Sequence, residues 1–227
     1  MNNPEVSIII TTFNYDKYVA RAIRSCIEQS FLKRDFEIIV IDDSSKDSTK
    51  YILQSYGHWI QTIEHTENKG LPHSRNEGIE CAKGKYIVNL DADDYLHPDF
   101  IKICYLHMTL NECDAAAADY ILVDDNEKPI KRINVNESPI ACGIMLIKNN
   151  MLDVGLYDTS LQIGEDIDFR LRYEKKYKIS RVNLPLYKYR MHKKNKTSDK
   201  NLNKVYLDKV SQKNNCVIDH SYFPEKF

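Results

Sequence analysis

The chain has 227 residues, of which 42% are hydrophobic and 29% charged, and its formal net charge is −1. No apolar run approaches the roughly 20 residues that span a bilayer, so the composition favours a globular domain with a full core. The six cysteines include no CxxC pair, which argues against a zinc site or a disulfide framework and favours a reducing compartment. No secretory leader is visible, and we therefore expect a cytoplasmic protein.

The charges are unevenly distributed along the chain. Residues 1–169 hold 16 Lys and Arg against 28 Asp and Glu, whereas residues 170–227 hold 16 against 5. A basic C-terminal region of this kind can contact an anionic membrane surface, or it can pack on the acidic body of the same chain. The sequence leaves both alternatives open.

The predicted elements alternate between strand and helix. Taken in chain order, apolar runs and helical periodicity predict a strand at 6–11, a helix at 17–29, a strand at 36–41, a helix at 47–56, a strand at 60–64, a helix at 71–82, a strand at 86–90 and a helix at 98–111. The pattern is looser afterwards, with a strand at 115–123, a hairpin turn at 124–129, a helix at 164–177, a strand at 186–191 and a terminal helix at 203–213. This order predicts one α/β domain with a mostly parallel central sheet flanked by helices.

Polar clusters follow three of the predicted strands. They are Thr11-Thr12-Phe13, Asp42-Asp43 and Asp91-Ala92-Asp93-Asp94. Ligands of open parallel sheets bind beyond the carboxyl ends of the strands, so the clusters predict a site on one edge of the sheet. The third cluster repels itself unless a cation lies within it, and carboxylates are ligands for Mg²⁺ or Mn²⁺. The alternative is an acidic turn that caps the next helix.

Four segments, in this order, carry a resemblance to a known family. They are VSIIITTFNYDKYVARAIRSCIEQSF, FEIIVIDDSSKDST, NKGLPHSRNEGIECAKGKYIVNLDADDYLHPDF and GEDIDFRLR. Over about residues 4–192 the sequence resembles a family 2 glycosyltransferase of the GT-A fold. The resemblance implies a GT-A domain at 1–192, with a nucleotide-binding half at 1–111 and an acceptor-binding half at 112–192, followed by a basic extension at 193–227.

The resemblance implies a nucleotide-sugar pocket in the first half. Thr11, Thr12 and Phe13 would form one side of it, with Phe13 against the face of the base. Asp42 and Asp43 would face the base and ribose, where a carboxylate can accept the imide hydrogen of uracil, which favours a UDP-sugar. Arg75 would reach the nucleotide or the diphosphate, unless it is only a cation on a helix surface.

A metal site is also implied. Asp91 would contact the ribose or the donor sugar and Asp93 would ligate Mn²⁺ or Mg²⁺, while Asp94 leaves the register of the Asp-x-Asp element ambiguous. His192 would be a nitrogen ligand of the metal. Arg190 would brace the diphosphate.

The resemblance makes Asp166 the general base that accepts the proton of the acceptor hydroxyl, with inversion at the anomeric carbon. Glu165 is the next candidate, and the alternative is that these acids only stabilise the start of a helix. A QxxRW element, typical of processive members, is absent, which favours transfer of a single sugar.

We expect the acceptor to be a glycan or a lipid-linked molecule of microbial surface polysaccharide synthesis, and no nucleic acid partner. The basic extension would make any membrane contact. The competing interpretation is a protein that binds sugar nucleotides, or a nucleotidyltransferase-like enzyme, without transferase activity.

Overall fold

The computed structural model describes residues 3–192 and 200–218. Its strands are β1 (Val6–Thr12), β2 (Phe36–Asp42), β3 (Gln61–Glu64), β4 (Tyr86–Asp91), β5 (Tyr95–Leu96), β6 (Ala115–Val123), β7 (Pro129–Ile133), β8 (Ile144–Ile147) and β9 (Ile179–Arg190). The helices are α1 (Asp16–Ile27), α2 (Thr49–Ser55), α3 (Leu71–Cys81), α4 (Phe100–Asn111), α5 (Lys148–Asp153), α6 (Glu165–Glu174) and α7 (Lys200–Asn214).

All of these strands belong to one sheet, in the order β3-β2-β1-β4-β8-β6-β9-β5, with β7 paired to β6. The first four strands of this order are parallel, as the sequence predicts. β8 then runs antiparallel to both β4 and β6, whereas β9 is parallel to β6. The predicted α/β domain is therefore confirmed, and its second half is a mixed sheet.

β1 is buried along its whole length because helices cover both faces of the sheet. Ile8 and Ile10 belong to the core on the side of α1 and α4, and Ile9 belongs to the core on the side of α3 and α6. α3 contacts the sheet closely at Gly78, where a Cβ atom would lie 2.5 Å from Ile9 Cγ2. This contact fixes the position of α3, which carries Arg75.

Four short elements in this structure have no counterpart in the predicted order: β5, β7, β8 and α5. The longest of them has six residues. Apolar runs of this length do not show enough periods to separate strand from helix. β9 is also longer than predicted, because it begins at Ile179 and includes polar Asn183 and Pro185 near a register shift in its pairing with β6.

The described part of the basic C-terminal region packs on the body of the protein. Leu207 and Val210 of α7 form a small core with Leu161 and Ile167. Lys213 Nζ lies 2.6 Å from Asp158 Oδ2 and 2.9 Å from Asp168 Oδ1. These contacts favour docking on the acidic body for this segment. The membrane contact expected of the basic extension at 193–227 stays a prediction, and residues 193–199 and 219–227 of that extension lie outside the described residues.

The helices within the described ranges include none that is both long and apolar enough to cross a membrane.

Asp119 of β6 connects three strands in the second half of the sheet. Its carboxylate accepts hydrogen bonds from Arg181 Nη2 at 2.7 Å, Arg132 Nη2 at 2.7 Å and the backbone N–H of Val135 at 3.2 Å. Burial alone would raise the pKa of Asp119, but these bonds outweigh it and lower the pKa to about 2. The pair of arginines thus connects β6, β7 and β9 through one carboxylate.

We expect Asp119→Asn to lower the free energy of unfolding at neutral pH by about 1–3 kcal/mol, because the buried charge-assisted bonds are lost. Since the folded pKa is depressed, the contribution of Asp119 is fully present above the unfolded pKa of about 3.9 and is lost as the pH falls towards 2. Urea unfolding across this range measures it, and the difference between the two proteins should vanish at the acid end. The control is Asp153→Ala, which removes an exposed pair with Lys176 and should lower the free energy of unfolding much less than Asp119→Asn does. Equal stability of Asp119→Asn and wild type at pH 7 would refute the structural role.

Candidate functional site

A cavity of about 320 Å³ lies beyond the carboxyl ends of β1, β2 and β4. Residues 11–13, 15, 43, 68, 70, 71, 74, 75, 91–94, 139–142, 162–166 and 189 line it. The three strand-end clusters of the sequence therefore meet at one cavity, as parallel strands require.

The end of β1 forms one wall of this cavity. Thr11, Thr12 and Phe13 all line it, and the Phe13 ring is 40% exposed, which leaves an aromatic face for a planar ligand. Thr12 Oγ1 is buried and has no hydrogen-bond partner among the described residues. This wall can therefore receive both a ring and a polar atom.

Asp43 and Asp42 have different surroundings. Asp42 Oδ1 accepts a hydrogen bond from the backbone N–H of Ser45 at 3.0 Å, and Asp42 lies outside the residues that line the cavity. Asp43 lines the cavity and accepts hydrogen bonds from the backbone N–H groups of Lys69 at 2.8 Å and Gly70 at 2.9 Å. Of the two predicted carboxylates, only Asp43 is thus placed to meet a ligand in this cavity.

Asp43 also lies 2.7 Å from Nδ1 of His65. Burial opposes ionisation of Asp43, but the bonds from His65, Lys69 and Gly70 outweigh it and hold the pKa below its usual value. A carboxylate has about four lone-pair directions, so one remains for a ligand.

The three carboxylates at the end of β4 and just after it have different surroundings. Asp94 Oδ2 accepts a hydrogen bond from Tyr187 Oη at 2.6 Å and Asp94 Oδ1 accepts one from the backbone N–H of Arg190 at 2.7 Å. Burial and the charges of Asp93 and Asp91 raise the pKa of Asp94 well above its usual value. Asp94 therefore connects β9 to the end of β4, and the assignment of Asp91 and Asp93 to an Asp-x-Asp element stays a prediction.

His192 lies beside Asp93, with 2.8 Å between its Nε2 and Asp93 Oδ2. The imidazole stacks on the ring of Tyr18, with 4.9 Å between centroids and an angle of 19° between planes. The structure thus brings together the two predicted metal ligands, which lie 99 positions apart in the sequence.

Arg190 is placed differently from the expectation. Its Nε donates to the carbonyl oxygen of Asp93 at 2.8 Å, and its Nη2 donates to Glu127 Oε1 at 3.0 Å. The side chain is buried and is not part of the cavity lining. In this arrangement Arg190 orders the backbone around Asp93, so bracing a diphosphate directly would require these contacts to break.

The Asp93 and His192 pair fits a divalent metal that a diphosphate helps to hold. Burial raises the pKa of Asp93, the charge of Asp91 adds to the rise, and the hydrogen bond with His192 opposes it. Mg²⁺ and Mn²⁺ are commonly held by one or two protein ligands together with phosphate oxygens of the substrate. A carboxylate and an imidazole at one end of the cavity match that requirement, since the nucleotide would provide the remaining ligands.

Arg75 is the cation at the centre of the site. Its side chain is 2% exposed, so the interpretation as a cation on a helix surface is wrong. Nη2 donates to Asp91 Oδ1 at 2.8 Å and Nη1 donates to Glu165 Oε1 at 2.8 Å. The guanidinium therefore joins the end of β4 to the start of α6. Its contact with the diphosphate stays a prediction.

Glu165 and Asp166 open α6, which follows Gly164 in a left-handed conformation with φ of 80°. Burial and the charge of Asp166 raise the pKa of Glu165 to about 7, although Arg75 opposes the rise. Asp166 is half-buried and lines the cavity, and burial raises its pKa despite the nearby charge of Arg75. Because Glu165 is bound to Arg75, Asp166 is the carboxylate of this pair that is better placed for an incoming ligand.

Several residues that line the cavity were not among the site residues predicted from the sequence. Asn68 and Gly70 lie inside the third quoted segment, so their position near a ligand could have been inferred. Tyr15 lies inside the first quoted segment and could have been inferred in the same way. Cys142 and Gln162 could not, because they lie outside the four segments and enter the cavity only through the folding of the loops that carry them.

Solved structures share this fold. The S. aureus TarS 1–349 structure in complex with UDP-GlcNAc matches with a TM-score of 0.78 at 19% identity, covering 96% of this chain and 69% of that chain. The Pyrobaculum calidifontis mannosyltransferase PcManGT, in complex with GDP-Man and Mn²⁺, matches with a TM-score of 0.75 at 16% identity, covering 94% and 64%. The protein is therefore a GT-A fold domain.

The model of the family "Glycosyl transferase family 2" matches residues 7–165, and the chain belongs to this family. The glycosyltransferase RP339 of Rickettsia prowazekii is 31% identical over 209 residues, which cover 84% of this chain and 65% of that protein. The chain spans between 30% and 65% of the length of the first curated relatives that it matches.

We expect Arg75→Lys to lower the free energy of unfolding by about 1–3 kcal/mol, because an ammonium cannot bridge Asp91 and Glu165 as the planar guanidinium does. Thermal and urea unfolding measure the effect. Arg34→Lys is the matched control, since the Arg34 side chain is 84% exposed and should change stability by less than about 0.5 kcal/mol. If Arg75→Lys weakened UDP binding but left the stability unchanged, a role in ligand contact would replace the bridging role.

Proposed function

We propose that the protein transfers one sugar from a nucleotide-sugar to an acceptor hydroxyl, with inversion at the anomeric carbon. The observation that carries this proposal is one cavity lined both by the Asp91 and Asp93 pair and by Asp166. The first pair suits a nucleoside diphosphate and its metal, and Asp166 suits proton transfer. A protein that only bound sugar nucleotides would have no need of Asp166 as a proton acceptor.

The wall of the cavity that contains Phe13 and Asp43, which we call the base wall, fits the base of a UDP-sugar best. Phe13 offers a ring face, and Asp43 keeps one acceptor direction for an N–H group of the base. Uracil presents a single imide N–H to such a carboxylate. The related fold of TarS was solved with UDP-GlcNAc and that of PcManGT with GDP-Man, so the fold accommodates either nucleotide.

Asp93 and His192 would hold Mn²⁺ or Mg²⁺. The metal, when bound, would act as a Lewis acid that offsets negative charge on the leaving diphosphate. Asp91 would orient the donor, because Arg75 fixes its carboxylate at 2.8 Å.

Asp166 would accept the proton of the acceptor hydroxyl at a carboxylate oxygen. Its raised pKa brings it closer to the working pH, where a general base is most effective. Residues 139–142 and 162–163 line the same cavity and belong to the half of the chain that we assign to the acceptor. We propose a glycan or a lipid-linked molecule of surface polysaccharide synthesis as the acceptor.

Removal of the metal ligand tests the donor site. In Asp93→Ala we expect the affinity for UDP in the presence of Mn²⁺ to fall at least about tenfold, to the level of the wild type in EDTA. Isothermal titration calorimetry measures both. Asp99→Ala removes a carboxylate five residues from Asp94 that lies outside the cavity lining, and it should bind UDP as the wild type does. Mn²⁺-dependent affinity that survives in Asp93→Ala would refute the assignment.

The base is tested by Asp166→Asn, which is nearly isosteric but cannot accept a proton. We expect slow Mn²⁺-dependent hydrolysis of the nucleotide-sugar, with water as acceptor, to fall by about 10²–10⁴-fold while UDP affinity is little changed. Glu174→Gln, at the exposed end of α6, is the matched control.

The same variant separates catalysis from the helix-stabilising alternative. Because burial raises the pKa of Asp166, its charge disfavours the folded state at neutral pH, and Asp166→Asn should be as stable as the wild type or more so. A loss of stability with unchanged turnover would support the helix-stabilising role instead.

A further inference from the structure

A second group of potential metal ligands lies behind the base wall of the cavity. His65 follows β3, and His73 and Glu77 lie one turn apart on α3. Nδ1 or Nε2 of each histidine and one oxygen of Glu77 all lie within 4.8 Å of one another. Among the described residues this is the only group of three or more such side chains that is close enough to share one ion.

The two ring nitrogens of His65 both face carboxylates. Nδ1 lies 2.7 Å from Asp43 Oδ1, and Nε2 lies 2.7 Å from Glu77 Oε2. A neutral imidazole has one N–H, so a ring that donates to Asp43 presents a lone pair to Glu77. Two lone pairs at this distance repel, and a cation between them removes the conflict. That cation is either a second proton on His65 or a metal ion.

The surroundings of His73 favour a metal ion over a second proton. Its Nδ1 is buried and has no hydrogen-bond partner within the described ranges, and it lies 3.8 Å from Glu77 Oε2. A proton on His65 would satisfy the lone pairs of His65 and Glu77 and leave this third group unpaired. A metal ion between the three side chains satisfies all of them.

We propose that His65, His73 and Glu77 form a binding site for Zn²⁺, distinct from the site of Asp93 and His192. Two imidazoles and a carboxylate suit this ion, with water in the fourth position, and are less suited to Mg²⁺. Tetrahedral bonds of about 2.0–2.1 Å place ligand atoms about 3.4 Å apart. Glu77 Oε2 lies 2.7 Å from His65 Nε2 and 3.8 Å from His73 Nδ1. These two distances bracket the ideal value, so side-chain rotations would complete the site.

The surroundings of the group match those of a zinc site. The carboxylate of Asp43 on Nδ1 of His65 fixes the tautomer and the ring, which is the usual partner of a metal-bound histidine. Lys69 Nζ lies 3.8 Å from Glu77 Oε2, and its partly exposed side chain would have to move away from this carboxylate when the ion binds. The lack of a CxxC pair in the sequence bears only on zinc sites made of thiolates.

The ion would connect the end of β3 to α3 and so clamp residues 65–70 between them. Asn68 and Gly70 of this loop line the cavity, and Gly70 donates its backbone N–H to Asp43. The site is therefore a structural clamp for the wall that we assign to the base. Its presence does not depend on the sugar-transfer function.

Metal titration of the whole chain tests the proposal. After removal of metals, in buffer with excess Mg²⁺ and no nucleotide, we expect the wild type to bind one Zn²⁺ per chain by calorimetry. Co²⁺ should give the visible absorption of a four-coordinate site. His73→Gln and Glu77→Gln should each weaken Zn²⁺ binding at least about tenfold. Circular dichroism and unfolding without metal confirm that these variants are folded.

Two variants serve as controls. Cys81→Ser removes the exposed thiol one turn beyond Glu77, and Asp93→Ala removes the donor-site ligand, and both should keep the bound Zn²⁺. Three results would overturn the proposal: a wild type that binds no Zn²⁺, equal binding by His73→Gln, or loss of binding in Cys81→Ser.

Discussion

The bridge from Arg75 to Asp91 and Glu165 is the interaction on which the cavity depends. Carboxylates at the ends of β2 and β4 and at the start of α6 converge on this space, and like charges at short range disfavour one another. A single buried guanidinium with two 2.8 Å contacts offsets part of that repulsion. It also fixes the distance between the two halves of the chain, because its planar fork permits few alternative geometries.

Contacts with specific partners explain why neighbouring acids differ in their chemistry. Glu165 is held by Arg75, whereas Asp166 faces the cavity with its pKa raised by burial. After β4, Asp94 is bound by Tyr187 and by the backbone of Arg190, whereas Asp93 meets His192. In both pairs one acid stabilises the structure, and its neighbour lies where a ligand can reach it.

The wall of the cavity nearest Asp43 has its own support. Asp43 accepts two backbone N–H groups from the loop after β3 and faces His65, and so it joins that loop to β2. A zinc ion on His65, His73 and Glu77 would stiffen the same loop from behind. The two proposed sites differ in ligand type, because the donor metal relies on phosphate oxygens and the second relies on imidazoles.

The first half of the fold and the place of the site follow from the amino-acid sequence. The buried runs of β1, β2 and β4 are long enough to predict strands, and the polar residues that follow them must meet at one edge of a parallel sheet. The order of four motifs identified the family and the candidate residues Asp91, Asp93 and Asp166, and the same resemblance added His192 beyond the fourth motif. Short elements such as β8 were not predicted, because a pattern of four residues is too short to show a strand or helix period.

The tertiary structure separates adjacent residues of the same type by the partners that it brings to each of them. Asp42 and Asp43 are adjacent, as are Asp93 and Asp94, and sequence alone gives each pair the same chemistry. Their surroundings differ because partners distant in the chain reach only one member of each pair. His65 contacts Asp43. Tyr187, on β9, contacts Asp94, whereas His192, after β9, contacts Asp93. The pairing of Arg75 with Glu165, 90 positions away, and the approach of His65 to α3 were equally undetermined, because long-range contacts follow from packing and not from local pattern.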